Sequence, residues 1–170
     1  MVNASIQTTL LPLRFGEGFF DDYAGKLITD PHVAVIELVA NSWDAGAQHV
    51  TLTWPSEIKG KFEISDDGSG MTRSEFESIW NEFNYNRRKR QGNITRITDS
   101  GNKERKVYGR NGKGRHSLFC FADSYRVETW KNGMESAYEV SRLKESQFPY
   151  QIQFLDEKSR DGHGTTISCI

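Results

Sequence analysis

The chain has 170 residues, of which 36% are hydrophobic and 12% aromatic, and its formal net charge at pH 7 is −1. This length suits one compact domain with a hydrophobic core and is too short for two full domains. No apolar run approaches the roughly 20 residues that cross a bilayer, and no secretory signal follows Met1. These features exclude a membrane-spanning protein and predict a globular, cytoplasmic one.

Two helices are predicted in the first third of the chain. Residues 19–27 predict a short helix, and residues 33–47, V-A-V-I-E-L-V-A-N-S-W-D-A-G-A, predict a longer one. Asp30 and Pro31 precede the longer helix as its cap and first-turn residue, and Gly46 is a usual stop signal.

The longer helix has one polar stripe. Glu37, Asn41 and Asp44 lie at i, i+4 and i+7, one above another on the same narrow face. The remaining faces are mostly apolar and contain Val35, Ile36, Leu38, Val39, Ala40 and Trp43. Such a helix is expected in the core, where each unpaired carboxylate or amide costs on the order of several kcal/mol. The stripe therefore predicts a polar pocket beside the helix.

Two short strands follow, because residues 48–54 and 61–65 alternate between apolar and polar side chains. The second strand leads into Asp66-Asp67-Gly68-Ser69-Gly70-Met71, where the small residues indicate a loop. Thr72 and Glu75 form a capping box, which predicts a short helix after the loop.

From residue 81 to residue 108 the periodicity disappears, and the segment is polar and basic. A patternless segment of this length is either disordered or a functional lid. Between Arg87 and Lys106 there are eight basic residues and two acidic ones, a local charge of +6 that leaves −7 for the rest. Such a run marks an anion-binding segment in some proteins and is more often a solvated loop.

The last third predicts one helix and four strands. Gly109-Arg110-Asn111-Gly112-Lys113-Gly114 leads into residues 115–122, an apolar run that fits a helix better than a buried strand. Strands are predicted at 124–130, 134–140, 150–155 and 165–170. This order favours an α+β layered sandwich, with a mixed, mostly antiparallel sheet and the helices on one face.

Neither glycine-containing loop identifies a ligand by itself. The loop from Gly109 to Gly114 fits a phosphate cradle or a flexible turn, and Arg115 stands where a Walker A loop has Lys followed by Ser or Thr. Asp66 could accept a hydrogen bond from an amino group such as that of adenine. A calcium loop is the alternative, although Met71 and Thr72 interrupt the run of oxygen ligands that an EF-hand requires.

Four motifs in a fixed order add to this interpretation: Glu37 with Asn41, Asp44 and Ala45; D-x-G-x-G-M from Asp66; G-x-x-G-x-G from Gly109; and Gly164-Thr165-Thr166. Over residues 30–170 they resemble the GHKL ATPase superfamily, which includes DNA gyrase B, the ninety-kilodalton heat-shock chaperones, histidine kinases and MutL. E-L-V-A-N-S-W-D-A-G-A and G-R-N-G-K-G-R-H-S-L are most similar to the MutL and MORC type. The resemblance implies a single Bergerat-type ATP-binding domain over residues 1–170, an ATP lid at 81–108, and a longer parent protein.

The resemblance also implies a role for each matched residue. Glu37 matches the catalytic acid that activates the attacking water, and Asn41 matches the Mg²⁺ ligand. Asp66 matches the carboxylate that reads adenine, with Thr165 in support. The wall beside the base is matched by Gly68, Gly70 and Met71, the nucleoside end by Asp44 with Ala45, and the phosphate end of the lid by Gly109, Arg110, Asn111, Gly112, Lys113 and Gly114.

Several of these residues also have an ordinary structural explanation. Asp44 can hold the end of its helix through a local hydrogen bond. Met71 can be part of the core. The cations Lys106, Arg110 and Lys113 are expected to face solvent, as most charged side chains do.

The sequence therefore predicts a Mg²⁺-dependent ATPase that couples ATP binding to lid closure and homodimerisation in a larger protein. Many relatives of this type receive a γ-phosphate lysine from a following domain, so slow hydrolysis is expected from these 170 residues alone. Two alternatives stay open. One is a nucleotide-gated module that binds nucleic acid through its basic residues 87–106, and the other is a histidine-kinase-type phosphotransfer domain.

Overall fold

The computed structural model describes residues 30–81, 92–109, 114–143 and 150–170. The helices are α1 (Pro31–Asp44), α2 (Arg73–Trp80) and a 3-10 helix (Gly114–Cys120). The strands are β1 (Val50–Thr53), β2 (Phe62–Asp66), β3 (Ile94–Arg96), β4 (Glu104–Lys106), β5 (Ser124–Lys131), β6 (Met134–Arg142), β7 (Tyr150–Ser159) and β8 (Gly164–Cys169). All six strands that the sequence predicted are therefore present, and β7 continues past its predicted end at residue 155.

Six strands form one sheet in the order β1-β2-β8-β5-β6-β7, and β3 and β4 form a separate hairpin. The predicted α+β class and mostly antiparallel sheet are confirmed. The described sheet is antiparallel throughout, so it contains no parallel pair of the kind that a mixed sheet would have. Strand β8 lies between β2 and β5. Thr165 is consequently the register partner of Asp66 on one side and of Thr129 on the other.

The hydrophobic core lies between one face of the sheet and the helices. Cross-strand partners on this face form an apolar row over four strands, namely Ile64, Ile167, Val127 and Tyr138. Leu38 of α1 and Phe76 of α2 belong to the same cluster, and the Phe76 ring stacks 3.9 Å from the Tyr138 ring. The helices therefore pack on one face, as predicted. Within the described ranges, no helix has the length and apolar character that crossing a membrane requires.

The ends of α1 follow the sequence signals. The Asp30 carboxylate accepts the His32 backbone N–H at 2.8 Å, and Pro31 occupies the first helical position. Gly46 follows the last turn with φ +82°, a left-handed conformation that ends helices and favours glycine. The predicted helix is thus confirmed within two residues of its start and three of its end.

The outer side of α1 differs from the prediction of a core helix. Val33, Ile36, Val39 and Trp43 are 40% to 55% exposed, whereas Leu38 is 1% exposed. The layered architecture is the physical reason, because the sheet covers one side of the helix and no described element covers the opposite side. Apolar residues make up much of a folded protein's surface, so an apolar face does not by itself indicate burial.

The segment from residue 81 to residue 108 contains regular structure that its sequence did not reveal. β3 and β4 pair as an antiparallel hairpin, and strands of three residues are too short for alternation to be recognised. The 3-10 helix confirms a helical rather than an extended conformation for the apolar run after Gly114. Residues 82–91 of the predicted lid and the predicted helix at 19–27 lie outside the described residues.

Replacing Gly46 with Ala should destabilise the fold more than the same change at Gly101. Both glycines have positive φ, but a Cβ atom on Gly46 would overlap the Arg96 carbonyl oxygen, whereas one on Gly101 would meet nothing within 4 Å. We expect Gly101→Ala to cost about 1 kcal/mol from φ alone. Gly46→Ala should cost about 1 to 3 kcal/mol more because the hairpin must shift. Urea unfolding measures both values, and equal losses would contradict the close approach.

Candidate functional site

Asp66 at the end of β2 is hydrogen-bonded to Ser42 of α1. The Ser42 hydroxyl donates to Asp66 Oδ2 at 2.8 Å, and the Gly68 backbone N–H donates to Oδ1 at 2.9 Å. Burial raises the pKa of Asp66 above its ordinary value, while the two hydrogen bonds favour the ionised form. Ser42 was not singled out by the sequence, although its place directly after Asn41 in the first motif was a visible signal.

The loop after β2 packs against the end of α1. The Ser69 backbone N–H donates to the Ala45 carbonyl at 2.8 Å. Gly68 and Gly70 are buried, and a Cβ atom on Gly68 would lie only 2.8 Å from Ala45 Cβ. The structure thus brings Ala45 and Gly68 together beside Asp66, whereas Gly70 lies against the backbone of Trp130 and Gly164.

Two threonines continue the site onto the sheet. The Thr165 hydroxyl lies 3.3 Å from the Thr129 hydroxyl, and Thr129 also accepts the Met71 backbone N–H at 2.9 Å. Thr129 is fully buried, so this side chain fixes two residues that the sequence assigned to the site. The sequence did not identify Thr129. A polar residue at an inward position of β5, after Val127, was the available signal.

Glu37 lies against Gly114, the last residue of the glycine-rich loop at residues 109–114. A Cβ atom on Gly114 would overlap Glu37 Oε2, so only glycine lets the backbone approach this carboxylate so closely. Burial, and after it the charge of Asp44, raises the pKa of Glu37 above its ordinary value. A half-buried carboxylate with a raised pKa holds a proton more readily than an exposed one, which suits a general base.

Asn41 lies one turn after Glu37 on the same stripe. Its side-chain nitrogen is buried and has no hydrogen-bond partner among the described residues. This N–H₂ group can donate to an acceptor such as a phosphate oxygen, and burying it without a partner would be unfavourable. The described residues contain no cluster of three or more His, Cys, Asp or Glu that could hold a metal. Mg²⁺ usually takes one or two protein oxygens and keeps water and phosphate oxygens, and the side-chain oxygen of Asn41 is a ligand of that type.

Asp44, the third residue of the stripe, is 3% exposed and contacts the backbone before the glycine-rich loop. Its two carboxylate oxygens accept the N–H groups of Tyr108 at 2.6 Å and Gly109 at 2.8 Å. The start of the loop is therefore placed at the C-terminal end of α1. The expected contact between Asp44 and a nucleoside stays a prediction.

Four residues assigned to the phosphate end of the lid, Arg110, Asn111, Gly112 and Lys113, lie outside the described residues. The side chain of Lys106 is exposed, as expected for a lid cation, while its backbone carbonyl accepts the Trp43 indole N–H at 2.9 Å.

His163, which the sequence assigned to no site, joins the Asp66 loop to the β3–β4 hairpin. Its ring Nδ1 lies 2.8 Å from the Gly68 carbonyl oxygen, and its Nε2 lies 3.1 Å from Asp99 Oδ2. Both partners accept hydrogen bonds, so both ring nitrogens must donate, which only the protonated imidazolium can do. Partial burial lowers the pKa of His163, but the Gly68 carbonyl and the Asp99 carboxylate raise it more, and the net shift is upward.

Comparisons with known proteins show the family to which the chain belongs. Residues 28–165 match the family model described as "Histidine kinase-, DNA gyrase B-, and HSP90-like ATPase". The DNA mismatch repair protein MutL of Acidiphilium cryptum is 42% identical over 52 residues, which are 31% of this chain and 9% of MutL. The chaperone protein HtpG of Wolinella succinogenes is 28% identical over 159 residues, covering 84% of this chain and 25% of HtpG. The chain therefore spans only a small part of these relatives.

A solved N-terminal domain of a DNA repair protein shares the fold, with a TM-score of 0.52 at 22% identity, over 85% of this chain and 37% of that structure. The antiparallel sheet with helices packed on one face is consistent with the fold of a GHKL-type domain. The matched family model covers most of the sequence, and the chain belongs to the histidine kinase-, DNA gyrase B- and HSP90-like ATPase family. The recognition made from the motifs, including their MutL-like character, is confirmed.

The bridge through His163 should make stability depend on pH. Because the pKa of His163 is raised in the folded state, its stabilising contribution is complete below the unfolded pKa, about 6.5, and is lost as pH rises through the folded pKa. Asp99→Asn is a matched change, since Asp99 has φ +53° and Asn accepts this conformation. The wild type should lose about 0.5 to 1 kcal/mol relative to Asp99→Asn between pH 5.5 and pH 9.

Urea unfolding of both proteins at the two pH values measures this difference. Other titrating groups cancel in the comparison. A free-energy difference that does not change with pH would show that His163 does not form the charged bridge.

Proposed function

We propose that this domain binds ATP with Mg²⁺ and hydrolyses it. The observation that carries the proposal is that residues of the second and third motifs meet the first motif on α1. Asp66 bonds to Ser42, Gly68 packs on Ala45, and Gly114 abuts Glu37. The fourth motif joins them through Thr165, the register partner of Asp66. Membership of an ATPase family supports the same conclusion.

In this proposal Asp66 reads the adenine amino group, which donates to a carboxylate that Ser42 and the Gly68 N–H already orient. Met71 and Thr165, held by Thr129, line the space beside the base. A partly buried carboxylate in a fixed orientation discriminates strongly, because a base without the donor would leave it unpaired.

Glu37 is proposed as the base that orients and deprotonates the attacking water. Its raised pKa and its position against Gly114 support this role, since the phosphates are expected at the glycine-rich loop. Asn41 would hold Mg²⁺ through its side-chain oxygen. The ion supplies charge neutralisation at the phosphates when it is bound.

Lid closure, homodimerisation within a longer, cytoplasmic protein, and coupling of ATP to a larger process belong to the same proposal. MutL and HtpG are much longer than this chain, and their names place such domains in mismatch repair and chaperone proteins.

Nucleic-acid binding is a second candidate, supported by the exposed Arg96, Lys103 and Lys106 of the hairpin region and by the similarity to DNA mismatch repair proteins. Arg105 is less available, because its guanidinium donates to the Trp43 and Ala47 carbonyls. Binding to duplex DNA that weakens with rising salt would support this function, and absent or salt-independent binding would count against it.

Glu37→Gln should keep ATP affinity and reduce hydrolysis by about 10²-fold or more, because the amide keeps the shape of the side chain but cannot accept a proton. Titration calorimetry measures binding, and single-turnover release of labelled phosphate measures hydrolysis. Glu77→Gln is the control, since Glu77 is an exposed residue of α2 paired with Arg73. Wild-type hydrolysis by Glu37→Gln would reject Glu37 as the base, and a wild-type chain without ATP affinity would reject the proposed function.

A further inference from the structure

The carboxylate of Asp44 accepts two hydrogen bonds from the protein backbone. Each oxygen accepts one N–H group, from Tyr108 at 2.6 Å and from Gly109 at 2.8 Å, and the side chain is buried. Two bonds from consecutive peptide groups fix both the position and the orientation of the chain at that point. Bonds to an ionised acceptor are among the stronger hydrogen bonds in proteins.

The residues beside Asp44 hold the preceding strand. The Trp43 indole N–H donates to the Lys106 carbonyl at 2.9 Å, and the Arg105 guanidinium lies 3.9 Å from the Trp43 ring centroid. Arg105 also donates to the Trp43 carbonyl at 2.6 Å and 3.0 Å and to the Ala47 carbonyl at 2.8 Å. These carbonyls lie at and just beyond the C-terminal end of α1, where a cation is favourable. The end of β4 is therefore fixed to the end of α1.

The two described ends of the glycine-rich loop lie on one helix stripe. Gly109 is bonded to Asp44, and Gly114 abuts Glu37, seven residues earlier in α1. Seven residues of α-helix place these two anchor points about 10 Å apart along the axis. Backbone groups such as those of Gly109 and Gly114 that are already held in place have less conformational freedom to lose when a ligand binds, which is how preorganisation raises affinity.

We propose that Asp44 is a positioning residue, which fixes the start of the glycine-rich loop for the phosphates of the nucleotide rather than contacting the nucleoside. The proposal rests on the ATP site inferred above. It gives Asp44 a different role from the nucleoside contact expected from the family resemblance. The two roles predict different losses when Asp44 becomes Asn, because Asn keeps one acceptor and turns an NH₂ group toward the second backbone N–H.

Amide hydrogen exchange without nucleotide tests the anchor directly. In Asp44→Asn, the amides of Tyr108 and Gly109 should exchange about tenfold faster than in the wild type, equivalent to about 1.4 kcal/mol. Asp67→Asn is the matched control, because Asp67 also accepts two backbone N–H groups, from Gln48 and His49, away from the loop. It should leave the exchange of Tyr108 and Gly109 unchanged. Equal exchange in the wild type and Asp44→Asn overturns the proposal.

Affinities for ATP, ADP and adenosine separate the two roles of Asp44. If Asp44 positions the phosphate loop, Asp44→Asn should lose about tenfold in affinity for ATP and ADP and nothing for adenosine. An equal loss for all three ligands shows a direct nucleoside contact and overturns the proposal.

The failure of the proposed function is distinguishable from the failure of this inference. If the wild type binds none of the three ligands, the ATP site is rejected, and the exchange measurement alone decides whether Asp44 anchors the loop. If Asp44→Asn does not fold, the amide hydrogen exchange of the wild type alone tests the anchor. Tyr108 and Gly109 should then exchange at least about tenfold more slowly than an unfolded chain, and unprotected amides would overturn the anchor.

Discussion

The hydrogen bond between the Ser42 hydroxyl and the Asp66 carboxylate joins the helix layer to the sheet where the motifs meet. A carboxylate removed from water is unfavourable unless donors surround it, and the Gly68 backbone N–H supplies the second one. Satisfying Asp66 therefore brings together the end of α1, the end of β2 and the loop that follows. Thr165 completes this corner because β8 pairs with β2.

The need to satisfy buried polar groups also applies to the polar stripe of α1, whose three residues have different surroundings. The Asp44 carboxylate accepts hydrogen bonds from the backbone of Tyr108 and Gly109, whereas the Asn41 side-chain nitrogen has no partner among the described residues. Glu37 is half-buried against Gly114, and its pKa is raised above the ordinary value. One helix thus fixes the approach of the glycine-rich loop and also presents the groups that are proposed to act on the nucleotide.

Local signals in the sequence predicted α1, α2 and the six strands of the large sheet, since helix caps, turns and apolar–polar patterns are short-range, but they did not reveal the β3–β4 hairpin. The motifs named Gly68 and Thr165, which lie next to Asp66, but not Ser42, which donates a hydrogen bond to it. The sequence could not predict contacts between distant segments, such as Arg105 on Trp43 or His163 between Gly68 and Asp99, because nothing in the spacing of these residues links them. Exposure of the outer side of α1 was equally hidden, since it depends on which layers cover the helix.

Mapping backbone amide shifts by NMR during titration with a non-hydrolysable ATP analogue and Mg²⁺ tests the central claim most directly. The account predicts the largest changes in one connected group, comprising Asn41, Gly68, Gly114 and Thr165, with little change on the opposite face of the sheet at Arg126 and Glu139. Saturable binding whose changes fall on that opposite face, or no binding at all, would contradict an ATP pocket between α1 and the end of β2.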